Sequence, residues 1–245
     1  VMGWPVDVLG VDAARAVMSG AMQVCTVAGV ALAGGHTIEL QEPIFGLSVT
    51  GLVDAGNLKT NAGAKAGDKL ILTKGLGVGM LAAALKRGLG AATDLASLTE
   101  SLTQTNAVGN ELGGIAGVHA MTDVTGFGLS GHLLEICRAS GVAARIQGNT
   151  LPKIAAAEAW AASYVLPDNA MRNWNAFESA VDMQDASAFT WLVDPQTSGG
   201  LLISVADTAI SEVEAALRAA STEYTVIGEI VEPATLSEGK LLAVI

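Results

Sequence analysis

Met121-Thr122-Asp123-Val124-Thr125-Gly126-Phe127-Gly128-Leu129-Ser130-Gly131-His132 sets an acidic residue at the end of a short apolar strand, then a glycine turn, then a helix start. Three binding devices fall within one turn of chain. A carboxylate is a hard oxygen ligand suited to Mg²⁺. Gly126 and Gly128 allow positive φ or close approach of backbone to a ligand. Unpaired N–H groups at a helix start favour anions such as phosphate. The residues by themselves leave two readings of Asp123 open, a metal ligand or a carboxylate that caps the following turn. The helix is clearer. Leu129, Leu133, Ile136 and Ser140 recur at helical spacing, Leu134 and Cys137 widen the stripe, and Glu135 and Arg138 fall outside it.

Working outward, strands are expected at residues 69–74, 142–146, 191–193, 200–205, 225–231 and 240–244. Helices are expected at 77–87, stopped by Gly88, and at 94–113, 153–163 and after Asp207, where Ile210, Val213 and Leu217 share a face. Ahead of these, residues 12–30 read as a helix capped by Asp12, and 43–53 as a strand. Residues 54–68 mix Gly, Asn, Asp and Lys between apolar runs and read as a linker. The expected domains are therefore 1–55 and 56–245. Strands and helices alternate without a steady βαβ rhythm, so an α+β class is expected over a doubly wound sheet.

Composition narrows the function. Hydrophobic residues make up 51% but aromatics only 4%, so Ala, Val, Leu and Gly do the packing. The net charge of −11 argues against a nucleic-acid surface, which needs a basic patch. No apolar run reaches the ~20 residues of a membrane helix, and no secretory signal is visible. Two cysteines, Cys25 and Cys137, give no disulfide framework, and a cytoplasmic protein is expected.

The segment from Met121 on, continued through Leu133-Leu134-Glu135, resembles the signature of selenophosphate synthetases (selenide, water dikinases). Three more segments agree in order: Gly3-Trp4-Pro5; Ala31-Leu32-Ala33-Gly34-Gly35-His36-Thr37 with Glu42-Pro43-Ile44-Phe45-Gly46-Leu47; and Asp194-Pro195-Gln196-Thr197-Ser198-Gly199-Gly200-Leu201-Leu202. Aminoimidazole ribonucleotide synthetase and thiamine-monophosphate kinase, related in fold, differ at the Asp123–Gly128 position. The resemblance implies a two-domain aminoimidazole ribonucleotide synthetase-like fold with an incomplete N-terminal ATP-binding and dimerisation domain. It implies synthesis of selenophosphate from selenide and ATP, with release of AMP and phosphate, by a homodimer. The family's Cys or selenocysteine, its Lys three residues later and two further aspartate segments are expected upstream of Val1. The catalytic residues are therefore expected there, and the chain as given is expected to be inactive. A non-catalytic nucleotide-binding relative and another ATP-dependent enzyme of the superfamily are the alternatives.

By the same resemblance Asp123 binds Mg²⁺, and Gly35, His36 and Thr37 contact ATP. Read from the residues alone, Gly35-His36-Thr37 is either a tight turn or a phosphate-contacting loop. His132 is expected to be a buried, hydrogen-bonded imidazole, and His119 a residue ahead of a strand. Gly126 and Gly128 are expected to serve backbone geometry. Gly75-Leu76-Gly77-Val78-Gly79 lacks G-x-G-x-x-G spacing, with Asp94 in a loop context, and reads as structural. Residues 194–200 read as a turn whose Thr197 and Ser198 hydroxyls either meet an anion or close the turn. Arg172 is a cation within reach of a phosphate role.

Overall fold

The computed structural model describes residues 1–245. They divide into two compact units, Val1–Val53 and Asp54–Ile245.

The first unit is a three-stranded sheet and one long helix. Strand β1 (Met2–Trp4) pairs in parallel with β2 (Thr37–Glu39) and antiparallel with β3 (Ile44–Phe45). Met2 and Trp4 are buried, and the Trp4 indole donates to the Gly10 carbonyl at 2.9 Å. Helix α1 (Val6–Val27) is a short helical turn after Pro5 that breaks at Gly10 (φ 66°) and a longer helix beyond it, so the longer part starts next to the expected residue 12 and ends at Val27, short of residue 30. Asp12 does not cap it; its carboxylate pairs instead with Arg15 at 2.6 Å. No residue of α1 is buried. The strand expected over 43–53 shrinks to Ile44–Phe45, and residues 46–53 are irregular.

The second unit is built on a seven-stranded mixed sheet in the order β5-β8-β4-β9-β6-β10-β7. In chain order its strands are β4 (Lys69–Thr73), β5 (Val118–Asp123), β6 (Ala143–Ile146), β7 (Val181–Met183), β8 (Leu201–Val205), β9 (Tyr224–Val231) and β10 (Leu242–Val244). Its helices are α2 (Val78–Lys86), α3 (Ala92–Thr103), α4 (Gly109–Gly113), α5 (Gly128–Ser140), α6 (Glu158–Ala162), α7 (Asp168–Phe177), α8 (Phe189–Val193) and α9 (Ile210–Ala219). The two-residue period of the strands splits the core between the two faces. On β4, Leu70 and Leu72 join one cluster with Leu81, Leu129 and Leu133, while Ile71 joins the other with Leu112, Val213 and Leu217. Helices cover both faces, as a sheet buried on both sides requires.

Several expectations are corrected. The helix over 94–113 is two helices, broken at residues 104–108. Asp94 lies in the first turn of α3, where its carboxylate accepts from the Ala91 N–H at 2.8 Å. Residues 191–193 belong to helix α8 and are not a strand; their continuous apolar run is the pattern that periodicity cannot resolve. The Ala-rich helix at 153–163 is short, a 3₁₀ turn over Ala155–Ala157 followed by α6. Asp207 starts a 3₁₀ turn ahead of α9 without a side-chain cap. Helix α7 and strand β7 were not expected.

Candidate active site

Strands β4 and β5 end, and β8 begins, on one edge of the large sheet, since β8 runs antiparallel to both. Asp123 is the last residue of β5. Its side chain is exposed, and no hydrogen bond or ion pair engages its carboxylate. The capping alternative therefore does not describe it: α5 starts at Gly128 without a side-chain cap. A free carboxylate at a strand end, ahead of a glycine turn, suits one protein ligand to a cation that keeps most of its water. No group of three or more His, Cys, Asp or Glu side chains is gathered to hold a metal, so the Asp123 carboxylate stands without a second carboxylate, imidazole or thiol beside it.

The turn after Asp123 is stitched to the loop of residues 194–200. Val124 N donates to Gly200 O, and Gln196 N to Thr125 O, both at 2.9 Å. The Asn173 amide spans Gly126 O and Val193 O at 2.9 and 3.0 Å. The two glycines of the turn differ. Gly128 has φ 69°, and a Cβ there would sit 2.7 Å from Leu192 O, so geometry demands glycine. Gly126 faces open space with no such need, which departs from the expectation that both serve backbone geometry.

Within the 194–200 loop, Asp194 is fully buried. Its Oδ2 accepts from the Gly79 N–H at 3.0 Å and the Gln196 amide at 2.8 Å, while Oδ1 has no partner. Burial pushes its carboxyl up to about 7, against the pull of the Gln196 and Gly79 donors. The Gly75–Gly79 run is structural, as its spacing indicates: Gly79 is where the Asp194 carboxylate meets the first turn of α2, and an added Cβ would lie 2.5 Å from Oδ1.

Lys74, which the sequence reading passed over, is the other buried charge on this edge. It is 6% exposed and adopts φ 55°, a conformation that costs a non-glycine residue of order 1 kcal/mol. Its Nζ donates to Ser198 O at 2.6 Å and to Gln104 O at 2.5 Å. Ser198 has φ 52° as well. Burial lowers the Lys74 pKa, and the nearby charge of Asp123 opposes that shift. The sequence signal was a lysine at a strand end before a glycine loop, which also describes many surface lysines.

His132 is buried, with Nε2 3.2 Å from Thr125 Oγ1; Nδ1 lies 3.2 Å from Glu135 Oε2 but outside hydrogen-bond geometry. His119 is more engaged than expected. It sits within β5, its Nδ1 is 2.9 Å from the buried Asp68 carboxylate, and Asp68 also accepts from Ser204 Oγ at 2.7 Å. This cluster lies at the strand ends opposite Asp123. Arg172 is exposed on α7 and faces Asn169 at 3.5 Å. Cys137 is buried, and desolvation pushes its thiol up to about 12.

In the first unit, Gly34 to His36 are exposed, irregular backbone leading into β2, and His36 O accepts from Met2 N at 2.9 Å. Gly35, His36 and Thr37 line a cavity of about 320 Å³ with Met2, Met18 and Phe45. The two sets of candidate residues belong to different units.

The family described as "AIR synthase related protein, C-terminal domain" matches residues 65–238. Selenide, water dikinase of Photorhabdus laumondii is 43% identical over 232 residues, 95% of this chain and 67% of the relative. The chain belongs to the selenide, water dikinase family. The enzyme of that name from Paraburkholderia xenovorans is 46% identical over 94% of this chain and 66% of its own length. The chain thus spans about two thirds of the length of these curated relatives. Among solved structures, hydrogenase maturation protein HypE in complex with ATP matches with a TM-score of 0.67 at 16% identity, over 91% of this chain and 62% of its own. That likeness shows the fold, an α+β, aminoimidazole ribonucleotide synthetase-like architecture, and the curated relatives place the chain in a phosphotransferase family. No helix is long and apolar enough to cross a membrane.

Proposed function

We propose that the protein to which this chain belongs makes selenophosphate from selenide and ATP, releasing AMP and phosphate. The observation that carries this reading is the free, exposed Asp123 carboxylate at the β5 end, ahead of a glycine turn, in a chain 43% identical to a selenide, water dikinase. In phosphoryl transfer, positioning and charge neutralisation do most of the work. Asp123 would hold Mg²⁺, which supplies charge neutralisation on the phosphates when bound. The loop of residues 194–200 fixes the turn after Asp123, and Gly35, His36 and Thr37 would contact the nucleotide through backbone N–H groups, imidazole and hydroxyl. The unit 56–245 would carry this metal-binding edge and residues 1–55 the dimerising, nucleotide-contacting part. A cytoplasmic homodimer is part of the same proposal.

Phosphorus NMR on the intact protein is the test. Selenide-dependent appearance of AMP, phosphate and a selenophosphate resonance from ATP is expected. ATP consumption that ignores selenide would favour another ATP-dependent enzyme of the superfamily.

A further inference from the structure

The buried ammonium of Lys74 lies at the same end of the large sheet as Asp123, and its hydrogen bonds alone do not require a charge there. A lysine has three N–H donors, and here two are spent on backbone carbonyls, Gln104 O just past α3 and Ser198 O in the 194–200 loop. Neighbouring carbonyls of that loop are also tied. Asn106 donates to Gly199 O at 2.8 Å, and Val124 N to Gly200 O at 2.9 Å. A neutral donor could hold Ser198 O as Asn106 holds Gly199 O, without the cost of burying a charge. The left-handed backbone at both Lys74 and Ser198 adds to that cost. Strands β4 and β5 flank β8 and end on the same side, so this expensive cation is held at the same end of the sheet as a free carboxylate, and the two charges act on each other.

We propose that Lys74 is a positioning residue that makes Asp123 take a divalent cation together with a polyphosphate and not alone. This rests on the reading of Asp123 as a metal-binding carboxylate. A fixed positive charge at the same strand ends, whose field reaches that carboxylate, repels a bare divalent cation. A cation already carried by a nucleoside triphosphate arrives with net negative charge, and the same fixed charge attracts it. The hydrogen bonds to Gln104 O and Ser198 O hold the ammonium in place, so its field does not relax when the ligand arrives. The site thus discriminates the metal–nucleotide complex from the free metal.

Mn²⁺ serves as the probe. Dissociation constants are measured for Mn²⁺ alone and for its complex with a non-hydrolysable ATP analogue, on the wild-type chain and on Lys74→Gln, Lys74→Arg and Asp123→Asn. Lys74→Gln is expected to tighten Mn²⁺ alone about tenfold and to weaken the complex, narrowing the ratio of the two constants. Lys74→Arg keeps the charge and is expected to preserve the wild-type ratio. If Lys74→Gln leaves that ratio unchanged while Asp123→Asn abolishes metal binding, the Lys74 proposal is overturned and the Asp123 reading stands. If Asp123→Asn binds Mn²⁺ as wild type does, the Asp123 reading itself is overturned, and the proposal with it. Should Lys74→Gln not melt cooperatively, Lys74→Arg carries the test: an unchanged ratio is expected, and a collapsed one overturns the proposal.

Discussion

The carboxylate of Asp194 sits against the first turn of α2, with Oδ2 accepting from the Gly79 N–H at 3.0 Å and Oδ1 left unpartnered. Burial raises its folded pKa to about 7, above the unfolded value of 3.8. The folded state therefore holds a proton that the unfolded chain has released between those values, and stability falls as pH rises through that window. Wild type is expected to lose on the order of 1–4 kcal/mol between about pH 4 and pH 7 from this group, a loss that levels off above it. Asp194→Asn keeps an acceptor for Gly79 and removes the titration. Urea melts of both proteins at pH 5 and pH 8 check this: the mutant should lack the wild-type drop attributable to this group.

Gly128 and Gly126 are expected to separate stability from binding. Gly128→Ala sets a Cβ 2.7 Å from Leu192 O at a backbone φ of 69°, and a loss of about 1–3 kcal/mol is expected. Gly126→Ala meets open space and should melt within about 0.5 kcal/mol of wild type. Thermal unfolding measures both. A Gly126→Ala protein that melts normally but binds the metal–nucleotide complex more weakly would place the ligand against that turn.

The first unit exposes many large apolar side chains, among them Val8 (77%), Val27 (83%), Val49 (77%) and Leu52 (104%). Exposed apolar patches of this kind mark interaction surfaces or aggregation sites. Chain 1–245 purified by itself is expected to self-associate. Light scattering after size exclusion checks it; a single monomeric peak across micromolar concentrations would count against the expectation.

The two cysteines should differ sharply toward a thiol reagent. Cys137 is buried, with its thiol pushed up to about 12, whereas Cys25 is partly exposed on α1. One thiol per chain is expected to react in the native state and the second only after denaturation.

Much of the architecture was legible because the elements are locally decided. The stripe of Leu129, Leu133 and Ile136 delivers α5 with all three side chains buried. The β4 run of Leu70, Ile71 and Leu72 is buried on both faces of the sheet. Residues 191–193 failed for the opposite reason: three apolar residues carry no period, and only packing makes them a helix. Asp123 could be singled out from its position before a glycine turn. Lys74 could not, because its burial depends on carbonyls 30 and 124 residues away in sequence. The same holds for Asp68 and His119, which meet only when β4 and β5 flank β8.

The most direct measurement is phosphorus NMR of the intact protein with ATP, Mg²⁺ and selenide, run beside Asp123→Asn. Selenide-dependent formation of AMP and selenophosphate, lost in a variant that still melts as wild type does, is the predicted result. Equal product formation by Asp123→Asn, or ATP turnover indifferent to selenide, would contradict the account.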